Sequence, residues 1–168
     1  MVARNHIDQK KLKEAEKALL DPVVVLLVDD DADCRSFARE ALAGGGICHR
    51  VFEVSNGIEA LHFLRKTGGF ATAPRPDVIF LDVDMPGLDG QATLKEIKSD
   101  SSLKDIPVVV MSGQRDDKHR VRAMLTGAYS YEIKPSSAED FLRVITESTL
   151  DCMTMLTQPE QRLSSTAC

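Results

Sequence analysis

Six polar side chains in this sequence have the same kind of position: each lies at or just after the end of a short segment rich in strand-forming residues. In chain order they are the carboxylates of Asp29, Asp30, Asp31 and Asp82, the hydroxyl of Ser112 and the ammonium of Lys134. Clustered carboxylates repel one another, and a hard divalent cation such as Mg²⁺ relieves that repulsion because it prefers oxygen ligands. A carboxylate held beside such a cation and an ammonium can accept a phosphoryl group, because the two cations neutralise its charge.

Asp82 is the predicted nucleophile of this chemistry. A carboxylate can be phosphorylated only when other groups hold the metal, and the acidic triplet 29–31 supplies those groups. Lys134 would neutralise the charge of the arriving phosphoryl group. Ser112 offers a short hydroxyl that can donate a hydrogen bond to a phosphoryl oxygen once the acyl phosphate forms.

The acidic triplet leaves a question of register open. Because Val28 closes the first apolar run, we favour Asp29 and Asp30 as the acidic pair. Asp31 then lies in the following loop or caps the N-terminus of a helix. If the strand ends one residue later, the acidic pair becomes Asp30 and Asp31.

The segments that carry these groups alternate with helical patterns. The apolar runs 23–28, 78–81 and 107–111 are short and rich in β-branched residues, which is typical of strands buried on both faces. Such alternation favours a parallel sheet covered by helices, with its ligand site beyond the carboxyl ends of the strands. Weaker strands are predicted at 49–54 and 130–133, and helices at 32–43, 58–66, 91–98, 118–126 and from Ser137 onward.

Three parts of the chain are distinguished by pattern. Residues 1–20 are predicted to form a helical extension, with Leu12, Ala15 and Leu19 at helical spacing, and residues 21–150 form the main domain. Residues 151–168 are the end of the last helix and a polar tail. That helix is predicted to bury one side, which carries Phe141, Leu142, Ile145, Leu150 and Leu156.

Composition excludes several classes of partner. The net charge is -5 with no long block of like charge, so we expect no broad attraction to nucleic acid or to an anionic membrane. No apolar run approaches the roughly 20 residues that a membrane span needs. The N-terminus lacks the apolar core of a signal peptide. The four cysteines are scattered, which favours free thiols in a reducing cytoplasm.

Four motifs resemble, in order and spacing, the signatures of receiver domains of two-component response regulators. They are VLLVDDD (25–31), FLDVDMPGLDG (80–90), VMSG (110–113) and YEIKP (131–135). The likeness covers residues 23–148 and implies an α/β, flavodoxin-like (βα)5 doubly wound parallel sheet of strand order 2-1-3-4-5. The loops 67–76 and 97–107 are similar to those of stand-alone regulators that pair with bacterial phytochrome-type kinases.

The resemblance also implies a role for each residue that matches a motif. The implied site comprises the acidic pair Asp29 and Asp30, with Asp30 a direct Mg²⁺ ligand, Asp82 as phosphoacceptor and metal ligand, the backbone carbonyl of Asp84 as a further ligand, Ser112 as switch hydroxyl, Tyr131 as switch aromatic, and Lys134 as partner of the phosphate. The side chains of Asp84 and Gln114 would border the water that hydrolyses the acyl phosphate. The family pattern implies a cis peptide between Lys134 and Pro135, where proline lowers its cost.

The implied function is that of a single-domain switch in a phosphorelay, and not of an enzyme. A sensor histidine kinase or a histidine phosphotransfer protein would donate the phosphoryl group to Asp82. The face formed by the fourth helix, fifth strand and fifth helix would then change its affinity for protein partners, and a homodimer can form through that face.

Two other functions remain open. Asp82-Val83-Asp84 also resembles the Asp-x-Asp nucleophile motif of haloacid-dehalogenase-type phosphatases, although that motif normally lies on the first strand of its domain. The second alternative is a binding-only pseudo-receiver scaffold, although such a protein would lack the aspartate, hydroxyl or lysine that this chain has.

Overall fold

The computed structural model describes residues 22–44 and 49–157, which form one five-stranded sheet with helices on both faces. The neighbouring strands are parallel, and their order is β2-β1-β3-β4-β5. The predicted fold class and strand order are therefore confirmed. The strands are β1 (Val23–Val28), β2 (His49–Val54), β3 (Val78–Asp82), β4 (Val108–Ser112) and β5 (Ser130–Ile133).

Five helices connect and follow the strands, and each begins within one residue of its predicted position. They are α1 (Ala32–Gly44), α2 (Gly57–Arg65), α3 (Gly90–Ser99), α4 (Asp117–Thr126) and α5 (Ala138–Thr157), with a short 3-10 helix at Gly68–Phe70. N-terminal caps define where three of the helices begin. The side chains of Asn56, Asp89 and Asp116 accept hydrogen bonds from backbone N–H groups in the first turns of α2, α3 and α4, respectively.

The sheet separates two apolar layers because successive strand residues point to opposite faces. On one face, Leu26, Ile79 and Val110 pack with residues of α2, α3 and α4. On the other face, Val25 and Phe80 pack with residues of α1 and α5. β1, β3 and β4 are almost wholly buried, as the apolar runs predicted. Their ends are consequently held firmly in place.

One prediction about α5 is wrong. Leu150 does not lie on the buried side but is 49% exposed. The buried residues of this helix include Phe141, Ile145 and Cys152, which follow the helical spacing of four and seven residues. Leu150 is five residues after Ile145, and this spacing turns it away from the stripe that faces α1 and the sheet.

Some predictions lie outside the described residues. They include the helix with Leu12, Ala15 and Leu19, most of the polar C-terminal tail and the side chain of Leu156. Among the described residues, Cys34 and Cys152 are free thiols, as predicted. Within residues 22–44 and 49–157, no helix combines the length and apolar character that crossing a membrane requires.

Candidate functional site

Three carboxylates meet at the carboxyl edge of the sheet. Asp29 and Asp30 follow β1, and Asp82 ends β3, which is the direct neighbour of β1. Each of the three offers a carboxylate oxygen, and these oxygens all lie within 4.8 Å of one another. Asp82 is only 3% exposed, whereas Asp30 faces solvent. The strand order therefore produces the acidic cluster that the sequence predicted.

Lys134 spans two of these carboxylates. Its Nζ lies 2.7 Å from Oδ2 of Asp29 and 2.9 Å from Oδ2 of Asp82. The backbone N–H of Lys134 donates to the carbonyl of Ser112 at 2.7 Å, so the residue is held where β5 ends. Both carboxylates are mostly shielded from water, and this shielding strengthens their interaction with the ammonium.

Burial and charge act in opposite directions on this pair. Burial raises the pKa of Asp82 above its ordinary value, and the hydrogen bond and charge of Lys134 offset that effect only in part. Burial would lower the pKa of Lys134, but its hydrogen bonds to Asp29 and Asp82 outweigh burial and raise the pKa. The lysine is therefore held in its charged form beside the phosphoacceptor candidate.

Asp31 makes different contacts from Asp29 and Asp30. Its side chain accepts hydrogen bonds from the backbone N–H groups of Asp33 at 2.9 Å and of Cys34 at 3.4 Å, and these bonds cap the N-terminus of α1. The hydrogen bond from the N–H of Asp33 is the main reason that the pKa of Asp31 is lowered. Of the two predicted positions for Asp31, in the loop or as an N-cap, these hydrogen bonds favour the N-cap. The residues grouped with Asp82 are accordingly Asp29 and Asp30.

Ser112 lies at the end of β4, the strand next to Asp82. It is 2% exposed, and its hydroxyl donates to the carbonyl of Gln114 at 3.0 Å. The backbone N–H of Gln114 lies 3.3 Å from the same hydroxyl oxygen and donates to it. Tyr131 is half-buried on β5, and its hydroxyl oxygen is buried without a hydrogen-bond partner. Neither hydroxyl is therefore hydrogen-bonded to the carboxylates of Asp29, Asp30 or Asp82.

Asp84 and the Lys134–Pro135 peptide complete the predicted set. The side chain of Asp84 is exposed, and its backbone N–H donates to Oδ1 of Asp82 at 3.2 Å.

The predicted cis peptide between Lys134 and Pro135 is wrong, because every peptide bond that the structure describes is trans. The trans form is intrinsically the lower in free energy even before proline, by about 0.5–1 kcal/mol.

Two residues that support the site were not predicted. The guanidinium of Arg35 donates to the backbone carbonyl of Asp29, and it lies 3.6 Å from the carboxylate of Glu53. Gly90 packs directly on the backbone of Asp82, leaving no space for a side chain. An arginine one turn after an acidic strand end, and a glycine at the first position of a helix, are the signals that point to them.

The donor set fits a magnesium ion. Three carboxylates supply hard oxygen ligands, and the solvent-facing position of Asp30 leaves room for the several waters that Mg²⁺ retains. No soft ligand belongs to the group formed by Asp29, Asp30 and Asp82. These are the three side chains that could hold the ion.

Comparison with known proteins agrees with this geometry. Residues 25–146 match the family model described as the response regulator receiver domain. The chain is 31% identical over 124 residues to response regulator Rcp1 of Synechocystis sp., covering 74% of this chain and 84% of that protein. It is 34% identical over 142 residues to the probable methanogenesis regulatory protein FilR2 of Methanothrix harundinacea, covering 84% of this chain and 88% of that protein.

Solved structures give the same result. The crystal structure of the phosphorylated cyanobacterial phytochrome response regulator RcpA is 34% identical with a TM-score of 0.70, covering 74% of this chain and 89% of that chain. The Mn²⁺-bound form of Rcp1 is 31% identical with a TM-score of 0.68, covering 74% and 89%. This chain belongs to the response regulator receiver domain family.

Proposed function

We propose that this chain is a phosphorylation-controlled switch in which Asp82 accepts a phosphoryl group from a phosphohistidine. The donor is a sensor histidine kinase or a histidine phosphotransfer protein. The observation that carries the proposal is the position of the Lys134 ammonium, 2.9 Å from Asp82 and 2.7 Å from Asp29, beside a group of three carboxylates. A buried nucleophile with a fixed cation beside it is suited to a transfer in which negative charge moves onto the acceptor.

The transfer itself requires no further reactant. A carboxylate oxygen of Asp82 attacks the phosphorus, an oxygen–phosphorus bond forms and the nitrogen–phosphorus bond of the phosphohistidine breaks. The imidazole nitrogen keeps the electron pair and takes up a proton. When bound, Mg²⁺ supplies positive charge that neutralises the phosphoryl oxygens. Asp29, Asp30 and Asp82 would hold it, together with the backbone carbonyl of Asp84.

The residues of this chain then detect the new group. The Lys134 ammonium, already aligned with Asp82, pairs with a phosphoryl oxygen. The Ser112 hydroxyl exchanges its bond to the Gln114 carbonyl for a bond to the phosphoryl group. That exchange moves the loop between β4 and α4, and Tyr131 on the adjacent strand can change its packing with that loop because its buried hydroxyl has no hydrogen-bond partner to lose.

The face made by α4, β5 and α5 is the proposed site of output. Val121 and Leu125 lie one turn apart on α4 and are 57% and 84% exposed, and Ile133 on β5 is 38% exposed. Exposed large apolar side chains on these elements favour a protein contact. We propose that phosphorylation changes the affinity of this face for its partners and that a homodimer forms through it.

A phytochrome-type kinase is the proposed source of the signal. The proposal is supported by the similarity to RcpA and by a further structure described as response regulator RPA3017 in red light signaling of R. palustris. That structure is 27% identical to this chain, with a TM-score of 0.68. The loops 67–76 and 97–107 carry the same resemblance in the sequence.

The test is phosphorylation by a small donor. The purified chain is incubated with acetyl phosphate and Mg²⁺, and intact mass together with peptide mapping identifies the modified residue. We expect one acyl phosphate on Asp82, its loss when Mg²⁺ is removed by chelation, and its loss in Asp82→Asn. Asp33→Asn, which changes an exposed acid in the first turn of α1, is the matched control and should react normally.

Two results would contradict the proposal. A folded wild-type chain that does not react would point to a binding-only scaffold. Multiple turnover of a generic phosphomonoester that depends on Asp82 and Asp84 would point to an Asp-x-Asp phosphatase.

A further inference from the structure

The first residues of α3 are packed against the backbone of the phosphoacceptor candidate. A Cβ atom placed on Gly90 would lie 2.1 Å from the carbonyl oxygen of Asp82 and 2.8 Å from Cα of Val83. The N–H of Gly90 donates to the carbonyl of Val83 at 3.1 Å. The N-terminus of α3 and the backbone at the end of β3 are therefore in direct contact, with no space between them.

The next residue, Gln91, connects this helix end to α4. Its side chain is buried, with 6% of the residue exposed, and Nε2 donates to the backbone carbonyl of His119 at 3.0 Å. His119 lies in the first turn of α4, where its own N–H and that of Lys118 are capped by Asp116. One hydrogen bond thus joins the residue after Gly90 to the capped turn of α4.

The carbonyl oxygen of the Gln91 side-chain amide, Oε1, is buried and has no hydrogen-bond partner. A buried carbonyl oxygen without a donor destabilises the arrangement that leaves it so. A shift of α4 that brought a donor to Oε1 would remove this penalty.

Of the five α-helices that the structure describes, α4 buries the fewest residues. Among its ten residues, only Ala123 is buried. A second connection leads from β4 to the first turn of α4. Ser112, at the end of β4, is hydrogen-bonded to Gln114, which lies two residues before the N-cap Asp116. The ends of β3 and β4 therefore both lead to the same turn of a helix that is held lightly.

We infer that Gln91 is a positioning residue that couples the backbone of Asp82 to the first turn of α4, so that phosphorylation changes the hydrogen bonding of its side-chain amide and the position of that helix. The inference rests on the proposed function, since it takes phosphorylation of Asp82 as the input. It adds a second connection to α4 beside the one through Ser112. Gln91 acts through α3 and α4 and does not touch the phosphoryl group.

NMR spectra of the full chain, with and without phosphorylation by acetyl phosphate and Mg²⁺, test the coupling. In the wild type, the Gln91 Nε2 resonances and the backbone amides of His119 and Ala123 should shift together on phosphorylation. Gln91→Met keeps the length of the side chain and removes the hydrogen bond. In the unmodified variant we expect the α4 amides to move part of the way towards their phosphorylated positions, corresponding to a roughly 2- to 10-fold change in the ratio of the two helix positions.

Arg75→Met is the matched control. Arg75 also donates from a side chain to a backbone carbonyl, that of Ser102, but it joins two loops outside the site. This variant should leave the α4 resonances where they are in the wild type. Because phosphorylation is quantified by mass in each sample, the α4 signals are compared at equal modification.

The outcomes separate the inference from the function on which it rests. Failure of Asp82 to react in the wild type overturns the proposed function. Normal phosphorylation with unchanged Gln91 Nε2 resonances overturns the coupling, and this measurement is independent of any variant. An unmodified Gln91→Met protein whose α4 amides coincide with those of the wild type also overturns it.

Discussion

Gly90→Ala should distort the proposed phosphoacceptor site through the backbone alone. The added Cβ would lie 2.1 Å from the carbonyl oxygen of Asp82, whereas real Cβ atoms essentially never approach closer than 3.0 Å. The atoms that this Cβ would meet all belong to the backbone, so the strain cannot be removed by turning a flexible side chain. Overpacking of a tight contact costs about 1–3 kcal/mol, and this contact falls at the upper end of that range because two backbone segments must separate.

The same displacement should slow phosphorylation. Moving a reacting group by about 1 Å can cost roughly 100-fold in rate, and the carbonyl that must move belongs to Asp82, the proposed nucleophile. We therefore expect Gly90→Ala to lose about 2–3 kcal/mol of unfolding free energy in urea and to react with acetyl phosphate some 10- to 100-fold more slowly. Urea unfolding and the time course of intact mass measure the two effects on one preparation.

Gly69→Ala is the matched control for this prediction. Nothing lies within 4 Å of a Cβ at Gly69, and its φ is not positive, so its stability should stay within about 0.5 kcal/mol of the wild type. The reasoning is refuted if Gly90→Ala is as stable and reacts as fast as Gly69→Ala. That result would mean that α3 can retreat from β3 without disturbing Asp82.

Three further predictions concern single groups. Lys66 ends α2 with φ 55, so Lys66→Gly should raise the unfolding free energy by about 0.5–1 kcal/mol, as measured in urea. Asp30→Asn should weaken the Mg²⁺ affinity measured by calorimetry. Asp31→Asn should keep that affinity, because Asp31 does not belong to the group of three carboxylates and Asn can still cap α1. Equal losses of affinity in the two variants would contradict the assignment of the acidic pair. Hydrogen bonds from the N–H of His119 and of Lys118 lower the pKa of Asp116 below 3.8, so its stabilising effect is present above that pH and is lost as pH falls through the lowered pKa. The difference in stability between the wild type and Asp116→Ala should therefore shrink in acid unfolding below about pH 4.

Most of the fold could be predicted because its central strands are defined by burial alone. β1, β3 and β4 are short apolar runs buried on both faces, and no surface requirement disturbs their pattern. The long α5 was harder to predict. Leu150 lies off its buried stripe although it is apolar. Apolar character indicates burial only together with the phase of the helix, which packing against α1 determines.

The site was predictable to the extent that strand ends determine it. Parallel strands bring their carboxyl ends to one edge, so Asp29, Asp82 and Lys134 were expected to meet, and they do. Contacts through the backbone could not be foreseen in the same way. The hydrogen bond from Gln91 to the carbonyl of His119 depends on how α3 and α4 pack, and no residue type in the sequence specifies which carbonyl a buried amide will reach.

The ammonium of Lys134 alone does not balance the negative charge of the site. Three carboxylates whose oxygens lie within 4.8 Å face a single ammonium, so the group carries an excess of negative charge when all are ionised. Burial is the main reason that the pKa of Asp82 is raised, and the charge of Asp29 acts in the same direction. A divalent cation would balance that excess. The affinity for Mg²⁺ and the readiness of Asp82 to act as a nucleophile should therefore rise and fall together, because each depends on the same unpaired charge.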